Sequence, residues 1–181
     1  MIVIHPNDKT TRFLKTVYAP ESYVDLYTEK DSNSEIRRAL NHRAYPGEYI
    51  MMLGHGCEYG LFAPESEDKP FGRLIINGSH VEFLRKNICI GIWCNANLFA
   101  EKYGLHGVFS GMIISEMEEA CMYGIKTTPE ELECENNRLA GLLNDAVQNC
   151  MTLKDIPEYI KSHAPMETPL QRFNYNNIYY Y

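Results

Sequence analysis

A histidine and a cysteine each follow an apolar stretch of this sequence, and they are the side chains best suited to chemistry. His55 stands between two glycines after the apolar run Tyr49–Leu53. Cys94 follows a second apolar run, Ile88–Trp93. A cysteine attacks a carbonyl carbon as its thiolate, and a neighbouring imidazole can take up the thiol proton. The pair could therefore act as nucleophile and general base if the fold brings the two side chains together.

The backbone around both residues suits the other steps of such a reaction. Gly54 and Gly56 allow a sharp turn and should leave space for a substrate chain beside the ring. The N–H groups of Gly56 and Cys94 are candidates to stabilise a developing oxyanion. Cys94 also precedes a predicted helix, whose dipole favours a thiolate near its start.

Strands and helices alternate along the chain. We predict strands at Ile2–Ile4, Tyr23–Tyr27, Tyr49–Leu53, Ile88–Trp93 and Val108–Ile114, with a turn at Pro46-Gly47 and a rim hairpin made of Gly60–Ala63 and Arg73–Ile76. We predict helices at Lys9–Val17, Ser32–His42, Val81–Lys86, Asn95–Tyr103, from Thr128 to Asn149 and from Thr152 to His163, with capping boxes at Ser32/Glu35 and Ser115/Glu118.

This alternation predicts the fold class and the place of the site. The strand Tyr49–Leu53 lacks polar alternation, which is typical of strands covered on both faces in a parallel sheet. The expected fold is α/β, a three-layer sandwich around a mainly parallel central sheet. Sites in such sheets form beyond the carboxyl ends of the strands. Neighbouring strands lie about 5 Å apart, so His55 and Cys94 can approach each other if their strands are neighbours.

Length, charge and cysteine usage exclude several classes of function. The 181 residues suit one domain, which we divide into an α/β core at 1–124 and a helical extension with an aromatic tail at 125–181. A net charge of -7 with scattered Lys and Arg argues against a nucleic-acid partner. No apolar run is long enough to span a membrane. The 6 cysteines form no C-x-x-C pair, and Met1–Pro6 lacks the layout of a secretory signal. We expect reduced thiols in a cytoplasmic protein.

The order strand–His-Gly, rim hairpin, short helix, strand–Cys resembles the caspase-like cysteine peptidases, including the bacterial group called CHAT peptidases. The matching pieces are LGHG at Leu53–Gly56, INGSHVEFLRKN at Ile76–Asn87, ICIGIWCNAN at Ile88–Asn97 and LHGVFSGMIIS at Leu105–Ser115. In layout the resemblance covers residues 1–124. It implies a caspase-like fold and an endopeptidase with His55 as catalytic histidine and Cys94 as nucleophile. That chemistry requires no cofactor and no metal.

Two departures from the family bear on specificity. The caspase signature Q-A-C-[RQG]-G is absent. Many arginine- or lysine-specific relatives carry an aspartate two residues before the nucleophile, and Ile92 occupies that place here. No arginine pair suited to an acidic substrate side chain is evident either. The resemblance therefore leaves a basic or an uncharged residue before the scissile bond as the expected preference.

Several polar residues are candidates for contact with the substrate. Asp8 follows the first predicted strand, and Glu116 and Glu118 follow the fifth. By the resemblance, these are the places where the fold builds its first specificity pocket. Asn95 and Ser115 are further candidates, although such residues more often cap helices.

The resemblance also implies a gated enzyme. A protease of this type is dangerous inside a cell, so a partner protein or a small signalling molecule would switch it on. A bacterial antiviral effector acting on protein or peptide substrates fits that description. Two other classes stay open: an α/β module that binds a nucleotide or signal molecule at its glycine-flanked strand ends, and a catalytically inactive caspase-like scaffold. The chain has neither a G-x-G-x-x-G motif nor a P-loop.

Each candidate residue also has a purely structural explanation. Taken alone, Cys94 fits a buried thiol and His55 a hydrogen-bonded core histidine; their joint placement favours a site. Cys57 is a competing nucleophile, expected on the loop. A metal site from His55, Cys57, Cys94 and His80 lacks paired local ligands, so no metal is predicted. The aromatic tail, Arg172–Tyr181, fits a partly ordered terminus better than a docking or ligand-binding segment.

Overall fold

A mixed six-stranded sheet forms the centre of the molecule. The structure is a computed structural model that describes residues 1–21, 23–42, 48–65, 71–149 and 152–181. Its strands, in chain order, are β1 (Ile2–Ile4), β2 (Asp25–Tyr27), β3 (Tyr49–Leu53), β4 (Gly56–Cys57), β5 (Gly60–Phe62), β6 (Leu74–Ile76), β7 (Ile88–Ile92), β8 (His106–Ser110) and β9 (Ile178–Tyr180). The central sheet has the order β2-β1-β3-β7-β8-β9, while β4, β5 and β6 form a small antiparallel sheet at the rim.

Helices cover both faces of this sheet. They are α1 (Asn33–His42), α2 (Val81–Leu84), α3 (Ala96–Tyr103), α4 (Met117–Met122), α5 (Pro129–Asn149), α6 (Ile156–His163) and α7 (Pro169–Asn176), with short 3-10 helices at Arg12–Val17, Gly78–His80 and Leu153–Asp155. Capping boxes at Ser32/Glu35 and Thr128/Glu131 begin α1 and α5, because each side chain bonds the backbone N–H of the other residue.

The core lies in two layers, one on each face of the sheet. Alternate residues of a strand point to opposite faces. Thus Ile50 and Met52 of β3 pack with α1, α2 and α3, whereas Met51 and Leu53 pack with α5, α6 and the 3-10 helix Arg12–Val17. The prediction of an α/β fold with a mainly parallel sheet between helical layers is confirmed at this level.

The first helix and the fifth strand differ from their predicted bounds. The helix predicted at Lys9–Val17 is a 3-10 helix that begins only at Arg12, because the Asp8 side chain bonds the N–H of Thr10 and holds a turn there. The strand predicted at Val108–Ile114 ends at Ser110, whose hydroxyl contacts the Trp93 backbone. The turn predicted at Pro46-Gly47 lies outside the described residues.

The prediction of a partly ordered, aperiodic tail is wrong. Thr168 caps α7 through a reciprocal box with Gln171, and Pro169 begins the helix. The chain then forms β9, which pairs antiparallel with β8 and completes the sheet. The pattern T-P-x-Q at residues 168–171 was the available signal. Within the described ranges, no helix has the length and apolarity that crossing a membrane requires.

A buried carboxylate fastens α7 to α5. Glu135 accepts hydrogen bonds from Gln171 and from the Tyr175 hydroxyl, each at 2.8 Å. Burial and then Glu135 itself raise the pKa of Tyr175, so the phenol keeps its proton and remains a donor. This contact lies beside the segment that leads into β9.

We expect Tyr175→Phe to lower the free energy of unfolding by about 1–3 kcal/mol, because a buried carboxylate oxygen loses its donor. Urea denaturation followed by circular dichroism measures the change. Tyr180→Phe is the matched control, since that side chain is exposed, and it should change stability by less than about 0.5 kcal/mol. Equal stabilities for the two variants would contradict the role given to Glu135.

Candidate active site

Two neighbouring parallel strands deliver His55 and Cys94 to the same edge of the sheet. In the pairing of β3 with β7, Leu53 lies opposite Ile92. His55 and Cys94 each come two residues later, beyond the carboxyl ends. The condition set from the sequence, that the two strands are neighbours, is met.

Gly54 lets the chain leave β3 without breaking its contact with β7. Its φ of 143° is a conformation that favours glycine. Its N–H still bonds the Ile92 carbonyl at 3.0 Å, which extends the ladder by one residue. The backbone carbonyl of His55 then accepts from Phe62 of β5 at 2.8 Å. The histidine is therefore fixed between the central sheet and the rim sheet.

The indole of Trp93 fastens the rim strand β4 against the end of β7. Its Nε1 donates to the Cys57 carbonyl at 3.0 Å. A Cβ on Gly56 would lie 2.1 Å from the indole Cδ1, so only glycine fits there. The expectation that Gly56 leaves space for substrate is wrong, because the indole occupies that space. The glycine instead allows the close approach that sets the position of His55.

The two amides predicted to bind an oxyanion, those of Gly56 and Cys94, are not bonded to backbone carbonyls of the described residues around them. Phe62 donates to the His55 carbonyl, and Gly56 lies opposite Leu61. In an antiparallel ladder, this pattern makes Gly56 and Leu61 a non-hydrogen-bonded pair, so the Gly56 N–H lies outside the ladder. Among the described residues, none accepts a hydrogen bond from the Cys94 N–H.

The thiol of Cys94 faces α4 and the segment before it. Sγ lies 3.6 Å from the Ile113 carbonyl and 3.8 Å from Glu119 Oε1. Burial, and next the negative charge of Glu119, raise the pKa of Cys94 to about 12. These two effects on the pKa outweigh the dipole at the start of α3, which was expected to favour the thiolate. In this conformation the pKa favours Cys94 as the neutral thiol.

Glu119 holds this position because it caps its own helix. Its other carboxylate oxygen, Oε2, accepts from the N–H groups of Ser115 and Glu116 at 2.7 and 3.1 Å. The capping box predicted at Ser115/Glu118 is thus shifted by one residue, with Glu116 at the N-cap and Glu119 as its partner. The shift matters chemically, because it directs Glu119 rather than Glu118 at the thiol.

The imidazole of His55 bonds residues after β1 instead of the thiol. Its side chain is only 6% exposed, and Nε2 lies 2.7 Å from the Thr10 hydroxyl. Nε2 is also 3.8 Å from Asp8 Oδ1 and 3.6 Å from Glu116 Oε1. The Phe71 ring packs edge-on against the imidazole, with centroids 5.6 Å apart.

His55 and Cys94 nevertheless line the same narrow cavity. Its walls include Phe13, Ile113 and Ser115. No hydrogen bond joins the ring to the thiol in the described part of the chain, since each has the partners given above. The structure thus places the two groups in one cavity but does not pair them.

A larger open cleft of about 870 Å³ adjoins this cavity. Thr10 and Glu116, both next to the His55 ring, line the cleft, and Phe13 and Ser115 line both spaces. The far wall is the first half of α5, including Leu132 and Asn136. Ser115 and Glu116, proposed from sequence as substrate contacts, therefore lie where a bound chain could reach them.

Two other predicted substrate contacts lie elsewhere. Asp8 lines a separate cavity together with Asn7 and Glu29, with one carboxylate oxygen directed at Thr10. Asn95 lines neither space; it adopts a left-handed conformation with φ 65° and turns the chain from β7 into α3. This turn leaves Cys94 at the bend.

The competing assignments find little support. Cys57 belongs to strand β4 rather than to a loop, and its carbonyl is the acceptor for Trp93. His80 is fully buried, and its Nδ1 accepts a hydrogen bond from the Asn77 N–H. Within the described residues, no group of three or more His, Cys, Asp or Glu side chains is placed to hold a metal ion.

The residues that sequence reasoning missed are Thr10, Glu119 and Trp93. The first two depend on contacts between distant segments, which no local motif reveals. Trp93 carried a weak signal, as a large aromatic beside a candidate nucleophile. Compared with known proteins, the chain matches no family model and no curated protein.

The raised pKa of Cys94 predicts slow alkylation that keeps accelerating with pH. Between pH 8 and 10 the rate with iodoacetamide should rise about tenfold per pH unit, because only the thiolate reacts. Peptide mass spectrometry follows Cys94, with the exposed Cys121 as an internal reference. A plateau near pH 9 would contradict the prediction.

Glu119→Gln should accelerate this alkylation at pH 8 by about fivefold. One unit charge about 4 Å away changes the ionisation free energy by about 1 kcal/mol even at the dielectric constant of water. Glutamine retains an oxygen that can cap α4. Glu118→Gln is the control, since Glu118 is the exposed neighbour on the same turn, and its rate should equal that of the wild type.

Proposed function

We propose that this chain is a caspase-like cysteine endopeptidase that uses Cys94 and His55. The observation that carries the proposal is their arrangement: each follows one of two paired parallel strands, and both line one cavity beside an open cleft. The position of the cavity beyond the carboxyl ends of the strands supports an active site. The unused amides of Gly56 and Cys94 support acyl transfer, which needs an oxyanion site.

The proposed reaction proceeds through an acyl-enzyme. His55 takes the thiol proton, and Sγ of Cys94 attacks the peptide carbonyl carbon. The carbonyl oxygen becomes an oxyanion held by the Gly56 and Cys94 N–H groups. The imidazolium then protonates the leaving amine, and the C–N bond breaks to leave a thioester. Water, deprotonated by His55, hydrolyses the thioester and restores the thiol.

We propose that the described conformation is the resting form of a gated enzyme. Its thiol contacts Glu119 and the Ile113 carbonyl, and its raised pKa disfavours the thiolate. Turning the Cys94 side chain from Glu119 towards His55 within their shared cavity would bring the general base to the nucleophile. An activating partner or small molecule would favour that second arrangement. An immune effector is one cellular setting that would need such a gate.

The cleft suits an extended peptide with a basic or uncharged residue before the scissile bond. Glu116 is the carboxylate that both lines the cleft and lies within 4 Å of the His55 ring, with Oε1 at 3.6 Å from Nε2. Arg12 and Lys9 line the cleft as well, so its charge is mixed. The preference for a basic side chain is accordingly assigned to Glu116 rather than to the cleft as a whole.

Cys94→Ala and His55→Ala should each lower peptide hydrolysis by more than about a thousandfold, because members of one catalytic unit fail together. The assay is digestion of casein and of a random peptide pool, read by mass spectrometry. The Glu119→Gln protein is tested in parallel, because it lacks the proposed restraint on the thiol. Cys57→Ala is the matched control and should retain the parent's activity.

Hydrolysis by the Cys94→Ala protein at the parent's rate would overturn the assignment. If neither the wild type nor the Glu119→Gln protein cleaves any peptide, the result favours the alternative that the chain is a catalytically inactive scaffold. A thermal shift with a nucleotide panel then tests the binding-module alternative, for which a shift of several degrees is the positive result.

Cleavage specificity gives a second test. The pool should show cutting after Lys, Arg or uncharged residues, and Glu116→Gln should reduce the share of basic sites by about fivefold, the loss expected for one exposed charge pair. Glu130→Gln is the control, because Glu130 lies on the first turn of α5 outside the cleft lining. Exclusive cutting after aspartate would refute the preference.

A further inference from the structure

We infer that Asp8 and Thr10 form a positioning pair that fixes the tautomer of His55, so that Nδ1 is the ring atom exchanging the proton with Cys94. The inference rests on the proposed peptidase function and adds to it a pair of residues behind the histidine. Neither residue stands next to His55 in sequence. Both reach it because β1 pairs with β3 in parallel, with Ile4 opposite Met52.

The direction of the hydrogen bonds follows from the chemistry of the groups. Asp8 Oδ1 lies 2.6 Å from the Thr10 hydroxyl and 2.8 Å from the Thr10 N–H. A carboxylate accepts hydrogen bonds and has no proton to donate. The single hydroxyl proton of Thr10 therefore points to Asp8. The hydroxyl oxygen, 2.7 Å from His55 Nε2, must then accept from the ring.

This chain of bonds places the ring proton on Nε2. In a neutral imidazole the other nitrogen is then an unprotonated acceptor. Nδ1 forms no hydrogen bond with a described residue, and we assign to it the proton taken from the thiol. Were the proton on Nδ1 instead, the ring would present no base to the cavity. Asp8 and Thr10 thus hold His55 in the form that the reaction needs.

The remaining neighbours of the ring act in the same direction or are neutral. The Glu116 carboxylate, 3.6 Å from Nε2, also favours a proton on that nitrogen. Phe71 packs edge-on against the ring and carries no charge. Glu116 is partly exposed, with a relative side-chain accessibility of 29% against 11% for Asp8. The more enclosed Asp8–Thr10 pair is therefore the firmer constraint.

The tautomer can be measured without any peptidase assay. Long-range ¹H–¹⁵N correlation spectra at pH 8 distinguish the protonated from the unprotonated nitrogen of each neutral histidine ring, and a His55→Gln protein identifies the signals of this residue. We expect the Nε2–H form in the wild type and in Thr10→Ser, which keeps the hydroxyl. Thr10→Val has a similar shape without the hydroxyl and should show a mixture of both forms. A wild-type ring protonated at Nδ1 would overturn the inference.

A kinetic test distinguishes a role of Thr10 in positioning His55 from a role in stabilising the fold. With a cleavable peptide and the Glu119→Gln protein as parent, Thr10→Val should lower kcat at least about tenfold, a part of the roughly 10²–10⁴-fold that a general base contributes, with KM changed by less than about twofold. Thr10→Ser should restore kcat. If Thr10→Val keeps both the wild-type tautomer and the parent's kcat, the pair has no such role. Unchanged hydrolysis by Cys94→Ala would instead refute the proposed function, whatever the tautomer.

Discussion

The parallel pairing of β1, β3 and β7 is the constraint on which the rest of the site depends. Parallel strands end at one edge, so three segments far apart in sequence come together there. β1 supplies Asp8 and Thr10, β3 supplies His55, and β7 supplies Cys94. A slip of one residue between β3 and β7 would turn Leu53 or Ile92 towards the wrong layer, because side chains alternate between faces. The two core layers therefore protect the register, and with it the distances between the polar groups.

Opposing groups around Cys94 determine whether its thiol is protonated in the described conformation. A buried environment and the Glu119 carboxylate both favour the neutral –SH group. The start of α3 and the His55 imidazole in the same cavity would instead favour the thiolate. The neutral thiol is favoured. Glu119 contributes because its Oε2 caps α4, and this position also places its Oε1 near Sγ of Cys94. The Glu119 carboxylate thus stabilises the start of α4 and also contacts the Cys94 thiol, so removal of this side chain would change both properties at once.

Sequence reasoning predicted the parts of this molecule that rest on strong apolar patterns. The runs before His55 and Cys94 are continuous and apolar, so their strands, the mainly parallel sheet and a common edge for the two residues followed. β9 was missed because it is an edge strand whose Tyr179 and Tyr180 remain exposed, which removes the usual burial pattern. Thr10 was missed because its hydroxyl reaches His55 only through the pairing of β1 with β3, which no local sequence pattern reveals. Glu119 was missed because a shift of one residue in a cap changes which carboxylate faces the thiol, and local propensity does not resolve such a shift.

The lone tryptophan of the chain has a consequence of its own. Trp93 lies directly before Cys94, and its Nε1 is bonded to the hairpin that carries His55. Its fluorescence therefore reports on the contact between β7 and the hairpin that follows His55. Separation of the two would expose the indole to water and shift its emission maximum to longer wavelength. Because the chain has a single tryptophan, the signal needs no added label and has no second indole to obscure it.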